Sequence, residues 1–158
     1  MTTPLSDAHL HAWFSFLNAH TSLTRQLDAV LESGHGVSLA EHTVLQQLAL
    51  GGGHLRMTEL ADTVLLSPSG TSRLVDRLVA EGLIERRSCD DDGRAVHAAI
   101  TDRGRARLEE AGPAYASALR RLFIDQFSPE EYEVLAGLLL RVAPDCRSRQ
   151  AGAPPLEP

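Results

Sequence analysis

The segment Ser67-Pro68-Ser69-Gly70-Thr71-Ser72-Arg73 places small hydroxyl residues, one glycine and one arginine ahead of a Leu and Val stripe that carries Arg77 on its flank. These residue types suit recognition of anions and base edges rather than bond making. A helix starting here offers free backbone N–H groups and the positive end of its dipole, and Gly70 removes a side chain that would hold an anion away. Serine hydroxyls donate and accept, and an arginine fork matches two adjacent acceptors such as those of guanine. At about 100° per residue, Thr71, Leu74, Val75, Leu78 and Val79 share one side, and Ser69, Ser72, Arg73, Asp76 and Ala80 share the other. Arg77, on the flank of the polar side, suits a backbone phosphate better than a base. Taken alone, the same stripe also describes the solvated side of a core helix.

Other chemistries find little support in the residue pattern. No nucleophile–base set, phosphate loop or metal cluster can be picked out, so an enzyme is not expected. All 15 basic residues are arginine, which leaves no P-loop lysine and makes any anion binding a matter of planar forks. His9, His11 and His20 lie in one predicted helix, with His42 and His54 further on, but His9 and His11 diverge and none shows the pairing used by metal sites on helices. Neither a metal nor a cofactor is expected. Cys89 and Cys146 lack C-x-x-C spacing. Cys89 is followed by Asp90, Asp91 and Asp92, which disfavour its thiolate; an incidental reduced thiol is the simpler reading and a redox sensor the alternative.

Several helices must position the segment. From Leu5 to Leu31, Leu10, Trp13, Leu17, Thr24, Leu27 and Leu31 follow three-four spacing, interrupted by His20, while Phe14, Phe16, Leu23 and Val30 add a second apolar face. This is more apolar surface than one small core needs, so a partner subunit is expected to cover the surplus. Ser38 and Glu41 form a capping box for a helix to about Leu50, "GGGH" reads as a flexible break, and Thr58 is placed to cap a helix over "ELADTVL". Ser67 caps the next helix, with Pro68 at its first position and Gly82 just past its end. "LIERRSC" and "RAVHAAIT" read as a two-stranded hairpin around "DDDG". Thr101 and Ser128-Pro129-Glu130-Glu131 start two further helices, the first expected to kink at Pro113. Their buried sides are expected to be Leu108, Ala111, Leu119, Leu122 and Phe123, then Leu135, Leu138, Leu139 and Val142.

Two short helices with a tight turn, followed by a hairpin, are the order of a winged helix-turn-helix, and that conjunction outweighs the solvated-face reading. The stretch "MTELADTVLLSPSGTSRLVDRLVAEGLIERRSCDDDGRAVHAAITDRGR" resembles the MarR family of bacterial transcriptional regulators. The layout extends over nearly the whole chain, the flanking helices matching in arrangement more than in motif. The resemblance implies a mainly α fold with a β-hairpin wing, whose outer helices intertwine into a homodimer on double-stranded DNA. It implies one domain over 1–143, with dimerisation helices at about 5–34 and 102–143, a DNA-binding lobe at about 38–101, and a disordered tail at 144–158. It puts Ser67, Pro68, Ser69, Gly70, Ser72, Arg73 and Arg77 in the major groove, and Arg94, oriented by Asp92 in the D-x-R motif Asp92-Gly93-Arg94, near the minor groove. A solvated turn held by an Asp–Arg pair is the alternative for the last two.

Leu65 departs from the glycine usual in such turns, and Ile100-Thr101 from the more usual Leu-Thr. The family also implies a small aromatic or anionic effector. Arg86 matches an arginine close to such ligands in some members, with an ion pair or phosphate contact as its alternative. Trp13 is a candidate stacking wall, although its heptad position favours dimer core. The expected function is a sequence-specific, ligand-responsive repressor on a pseudo-palindromic operator. The rival is a winged helix used for protein contact, which would lack the steep salt dependence of phosphate binding.

The overall charge of −6 argues against DNA, but residues 69–107 hold eight arginines against seven acids, so the deficit lies mainly elsewhere. No apolar run approaches membrane-spanning length, and "MTTPLSDAHLHAW" lacks the basic start and apolar core of a secretory signal. A cytoplasmic protein is expected.

Overall fold

The computed structural model describes residues 4–64, 67–88 and 96–142. Along the chain come α1 (Asp7–His35), α2 (Leu39–Leu50), β1 (His54–Arg56), α3 (Met57–Thr63), α4 (Pro68–Ala80), β2 (Ile84–Ser88), β3 (Val96–Ile100), α5 (Asp102–Leu122) and α6 (Pro129–Val142), with a 3-10 turn, Ile124–Gln126, before α6. Among these, no helix is long and apolar enough to cross a membrane.

The expected caps form. Ser38 Oγ accepts from Glu41 N–H at 3.2 Å while Glu41 Oε2 accepts from Ser38 N–H at 2.7 Å. Ser67 Oγ accepts from Gly70 N–H at 3.1 Å and Thr101 Oγ1 from Gly104 N–H at 3.0 Å. Ser128 and Glu131 close a reciprocal box before α6. At the end of α4, Gly82 has a φ of 71°, and the N–H groups of Gly82 and Leu83 donate to the carbonyls of Val79 and Leu78, the turn expected after a helix that must stop abruptly. Helix α5 continues through Pro113.

Two local expectations are corrected. Helix α3 begins at Met57, with Arg56 in the cap position, its N–H donating to Glu59 Oε2 at 3.0 Å; Thr58 is therefore inside the helix, because Glu59 supplies the acceptor from three residues on. The "GGGH" segment is also more than a break. Gly52 and Gly53 take positive φ and turn the chain into β1, which makes the hairpin a three-stranded antiparallel sheet of order β1-β3-β2. Its register pairs Arg56 with His97 and Arg87 with the same His97, and runs from Ile84↔Ile100 to Ser88↔Val96 in the outer pair. A three-residue strand has too little pattern to be visible before its partner is known.

The main core joins Val44, Leu45 and Leu48 of α2, Leu60 of α3, Leu74, Val75 and Leu78 of α4, and Leu83, Ile84, Ala98 and Ile100 around the sheet. A smaller cluster ties α1 to α5 through Leu31, Val37 and Ala111, flanked by Leu39 and Tyr115. The assignment of buried sides to α5 and α6 is only partly met. Ala111 is buried and Leu108, Leu119, Leu122, Phe123 and Leu135 half-buried, but Leu138, Leu139 and Val142 are exposed, since a single chain offers them nothing to pack on.

Two features make the core sensitive. Gly104 sits so close to the corner before β2 that a Cβ there would overlap the carbonyl oxygen of Leu83 and crowd Ile100. Thr101 stitches the same corner, donating from Oγ1 to the carbonyls of Gly82 and Leu83 at 2.8 and 3.1 Å. His42 is buried with its ring centroid 4.4 Å from that of Tyr115, and neither ring nitrogen has a hydrogen-bond partner among the described residues. Burial pushes its pKa below the usual imidazole value of 6.5.

Gly104→Ala, ordinarily a gain inside a helix, is expected here to destabilise by about 1–3 kcal/mol, a fall in Tm of roughly 2–12 °C; an unchanged or higher Tm would contradict the close approach. Because folded His42 resists protonation, the unfolded chain binds the extra proton, so its contribution to stability is fully present above pH 6.5 and is lost as the pH falls below that value toward the lower folded pKa. Urea melts at stepped pH should show His42→Leu losing less stability than the parent between neutral and acidic pH, and identical slopes would rule this out.

Candidate nucleic-acid interface

Helix α4 separates into a buried back and a polar front. Thr71, Leu74, Val75 and Leu78 are buried, Ser69, Arg73, Asp76 and Ala80 are exposed, and Gly70 and Ser72 are half-buried. Val79, assigned by periodicity to the buried side, is exposed. It lies about 90° from the centre of the buried arc, on a shoulder beside Ser72 rather than over the core. At the front end, the Ser67 and Ser69 hydroxyls are 3.2 Å apart, so the cap and the first outward side chain form one hydroxyl pair. Pro68 occupies the first helical position, as expected.

Both flanks of this front are tied down. On one side Arg77 Nη2 lies 2.7 Å from Oε1 of Glu41, whose side chain is only 9% exposed. On the other, Asp76 Oδ1 lies 2.8 Å from Arg86 Nη2, both side chains being substantially exposed. Arg73 makes no ion pair among the described residues, so between the two flanks the front presents its guanidinium beside the Ser67–Ser69 hydroxyl pair. Sequence reasoning found the front but not the ties. Glu41 already had a reason to be where it is, as the capping-box acid of α2, and nothing in the sequence announces a second role.

The wing candidates Asp92 and Arg94, and likewise Leu65, Cys89 and the 144–158 tail, lie outside the described residues. Strands β2 and β3 bring the two ends of the wing loop together at the Ser88↔Val96 pair, on the sheet that packs behind α4.

Two clefts adjoin this lobe. One, of about 740 Å³, lies among α1, α2 and α5 and is lined by His20, Thr24, Arg25 and Asp28 of α1, Leu39, Ala40 and Thr43 of α2, and Tyr115 of α5, among others. It combines a cation, hydroxyls and a phenol with an aliphatic wall. Burial raises the pKa of Tyr115, which keeps the phenol protonated as a donor. The second, of about 500 Å³, is lined by Met57, Thr58, Ala61, Asp62, Ser72, Arg86 and Val96. Of the two effector candidates, Arg86 therefore borders a cleft, while Trp13 borders neither: it is exposed on α1, its ring 6.3 Å from that of Phe16. Arg25 and Tyr115 were missed because they converge from helices about 90 residues apart. No group of three or more potential metal ligands occurs among the described residues.

Comparison with known proteins places this geometry. The sequence profile of the MarR family matches residues 35–95. The HTH-type transcriptional regulator MhqR of Bacillus subtilis is 30% identical over 138 residues, covering 87% of this chain and 93% of that protein. The crystal structure of AbsC, a MarR family transcriptional regulator from Streptomyces coelicolor, superposes with a TM-score of 0.85 at 29% identity, over 93% of this chain and 99% of that one. Sco3205, another MarR family regulator from the same organism, solved in complex with DNA, gives 0.83 at 29% identity, over 90% of each chain.

For an arginine that reads a base edge, Arg73→Ala should weaken binding to the duplex upstream of the protein's own gene by about 1–3 kcal/mol and bind random duplex almost as before. Equal loss on both in a titration would identify Arg73 as a nonspecific phosphate contact.

Proposed function

The chain belongs to the MarR family of winged helix-turn-helix transcriptional regulators, and from that membership we propose that this DNA-binding regulator is a homodimeric, ligand-responsive repressor of a pseudo-palindromic operator. The observation that carries the reading is the polar front of α4, exposed at Ser69 and Arg73, with Arg73 in no ion pair among the described residues, opposite the buried Thr71, Leu74, Val75 and Leu78. A helix of this kind enters the major groove by its N-terminal end, with Ser67, Pro68, Ser69, Gly70, Ser72 and Arg73 leading. Arg94, oriented by Asp92, serves the adjacent minor groove, where a narrow, electronegative channel favours arginine.

The homodimer is supported by apolar surface. Leu5, Trp13, Phe14, Phe16 and Leu17 on and just before α1, with Val134, Leu138, Leu139 and Val142 on α6, are large apolar side chains exposed in one chain, surface that a second copy would cover. Residues 1–143 then act as one unit, with about 5–34 and 102–143 pairing and 38–101 reading DNA, and Trp13 belongs to that dimer core rather than to a ligand wall. The cleft among α1, α2 and α5 suits a small aromatic or anionic effector, with Arg25 facing the charge and Tyr115 the ring; Arg86 offers a second anionic contact. The protein works in the cytoplasm, where the chromosome is, and by binding rather than catalysis.

Footprinting on its own upstream DNA, with sedimentation to measure mass, tests this. Two protected half-sites about one helical turn apart, a dimer mass, and affinity that falls steeply with salt are expected. Release by one of a panel of aromatic acids would identify the effector class. A lone asymmetric half-site, a monomer, or salt-insensitive binding would overturn the proposal.

A further inference from the structure

We infer that Arg77, on the flank of the DNA-reading helix, is a positioning residue rather than a phosphate contact: Glu41 holds it, and through this pair the first turn of α2 sets the rotation at which α4 meets DNA. The inference rests on α4 being the helix that enters the groove.

Both oxygens of the Glu41 carboxylate are committed. Oε2 accepts from the Ser38 backbone N–H at 2.7 Å and from its hydroxyl at 2.8 Å, and Oε1 faces Arg77 Nη2 at 2.7 Å. With only 9% of that side chain exposed, withdrawing Arg77 toward a phosphate would leave a buried negative charge without its cation. The turn that carries Glu41 is itself anchored, since Asp28 Oδ1 on α1 accepts from Leu39 N–H at 2.7 Å. A continuous set of charge-assisted hydrogen bonds therefore runs from α1, through the first turn of α2, to α4. The opposite tie, Asp76–Arg86, has both partners exposed and holds less.

Rotation is what such a tie controls. The contacts of Leu74, Val75 and Leu78 are hydrophobic and non-directional, so they resist withdrawal of α4 more strongly than a small turn about its axis. At a helix radius of about 5 Å with side chains, a turn of about 20° displaces the front by about 2 Å. That exceeds the tolerance of a hydrogen bond to a base edge. A short, single-direction ion pair on the flank removes this freedom. Leu39 and Ala40, in the same turn of α2, also wall the cleft among α1, α2 and α5, so a ligand that shifts the turn shifts the hold on α4.

The test compares Glu41→Gln, Arg77→Gln and the double variant on the duplex upstream of the protein's own gene and on a random duplex of equal length. Glutamine at 41 keeps an oxygen for Ser38 N–H, and Arg77 is largely exposed, so circular dichroism should show all three folded. Each single variant is expected to lose about fivefold to tenfold in affinity for the upstream duplex, with far less effect on the random one, and the double variant to lose no more than either single, as coupled partners do. The slope of log affinity against log salt should match the parent. Arg77→Gln lowering that slope by about one while Glu41→Gln tightens binding would mean a phosphate contact and overturn the inference; so would either single variant leaving affinity for the upstream duplex unchanged. Amide exchange across α4 in the free protein supplies a reading without DNA. Faster exchange in both variants supports the hold and parental rates refute it, whereas a parent that binds no duplex at all removes the DNA-reading premise instead.

Discussion

The burial of Leu74, Val75 and Leu78 holds α4 by its back and leaves its polar front facing outward. These three side chains share a core with Leu45 and Leu48 of α2, Leu60 of α3 and Ile84 and Ala98 of the sheet. Each buried aliphatic side chain contributes about 1.5–3 kcal/mol relative to exposure. The remaining elements serve this seat. Helices α2 and α3 form its sides, and the sheet forms its floor. The Gly82 turn, stitched by Thr101 and crowded against Gly104, fixes where the chain leaves α4 to become the wing strand.

Charge and apolarity are partitioned around the seat. The net charge of −6 belongs to the whole chain, whereas residues 69–107, with eight arginines against seven acids, are close to balanced and use arginine throughout. Local sign matters more than net charge for a contact made within a Debye length of about 8–10 Å. The apolar surplus sits on the first half of α1 and on α6, no residue of which is buried. The front of α4 thus suits a polyanion and the exposed apolar faces suit a second apolar surface, while α1, α2 and α5 line a separate cleft.

Much of this was legible in the chain because it is local. Ser38, Ser67, Thr101 and Ser128 cap helices through atoms three residues away, and Gly82 ends α4 because its own backbone tolerates a positive φ. The polar front of α4 followed from 3.6-residue periodicity, although Val79 shows that periodicity locates the centre of a face better than its edge. Strand β1 was not legible, since three residues acquire strand character only from pairing with β3, whose residues lie more than 40 positions later. Nor was the true start of α3, where an arginine with no side-chain acceptor holds the cap position.

The sequence by itself determined the long helices, the caps at Ser38, Ser67, Thr101 and Ser128, the wing strands and the side of α4 that faces outward, since each depends on residues close together in the chain. Only the tertiary structure decided which arginines are free to act. Arg73, Arg77 and Arg86 carry the same charge in the chain, but folding brings Glu41 to Arg77 and Asp76 to Arg86, and leaves Arg73 without an ion pair among the described residues. A carboxylate 36 residues distant in sequence cannot be read as a partner until packing places it 2.7 Å away.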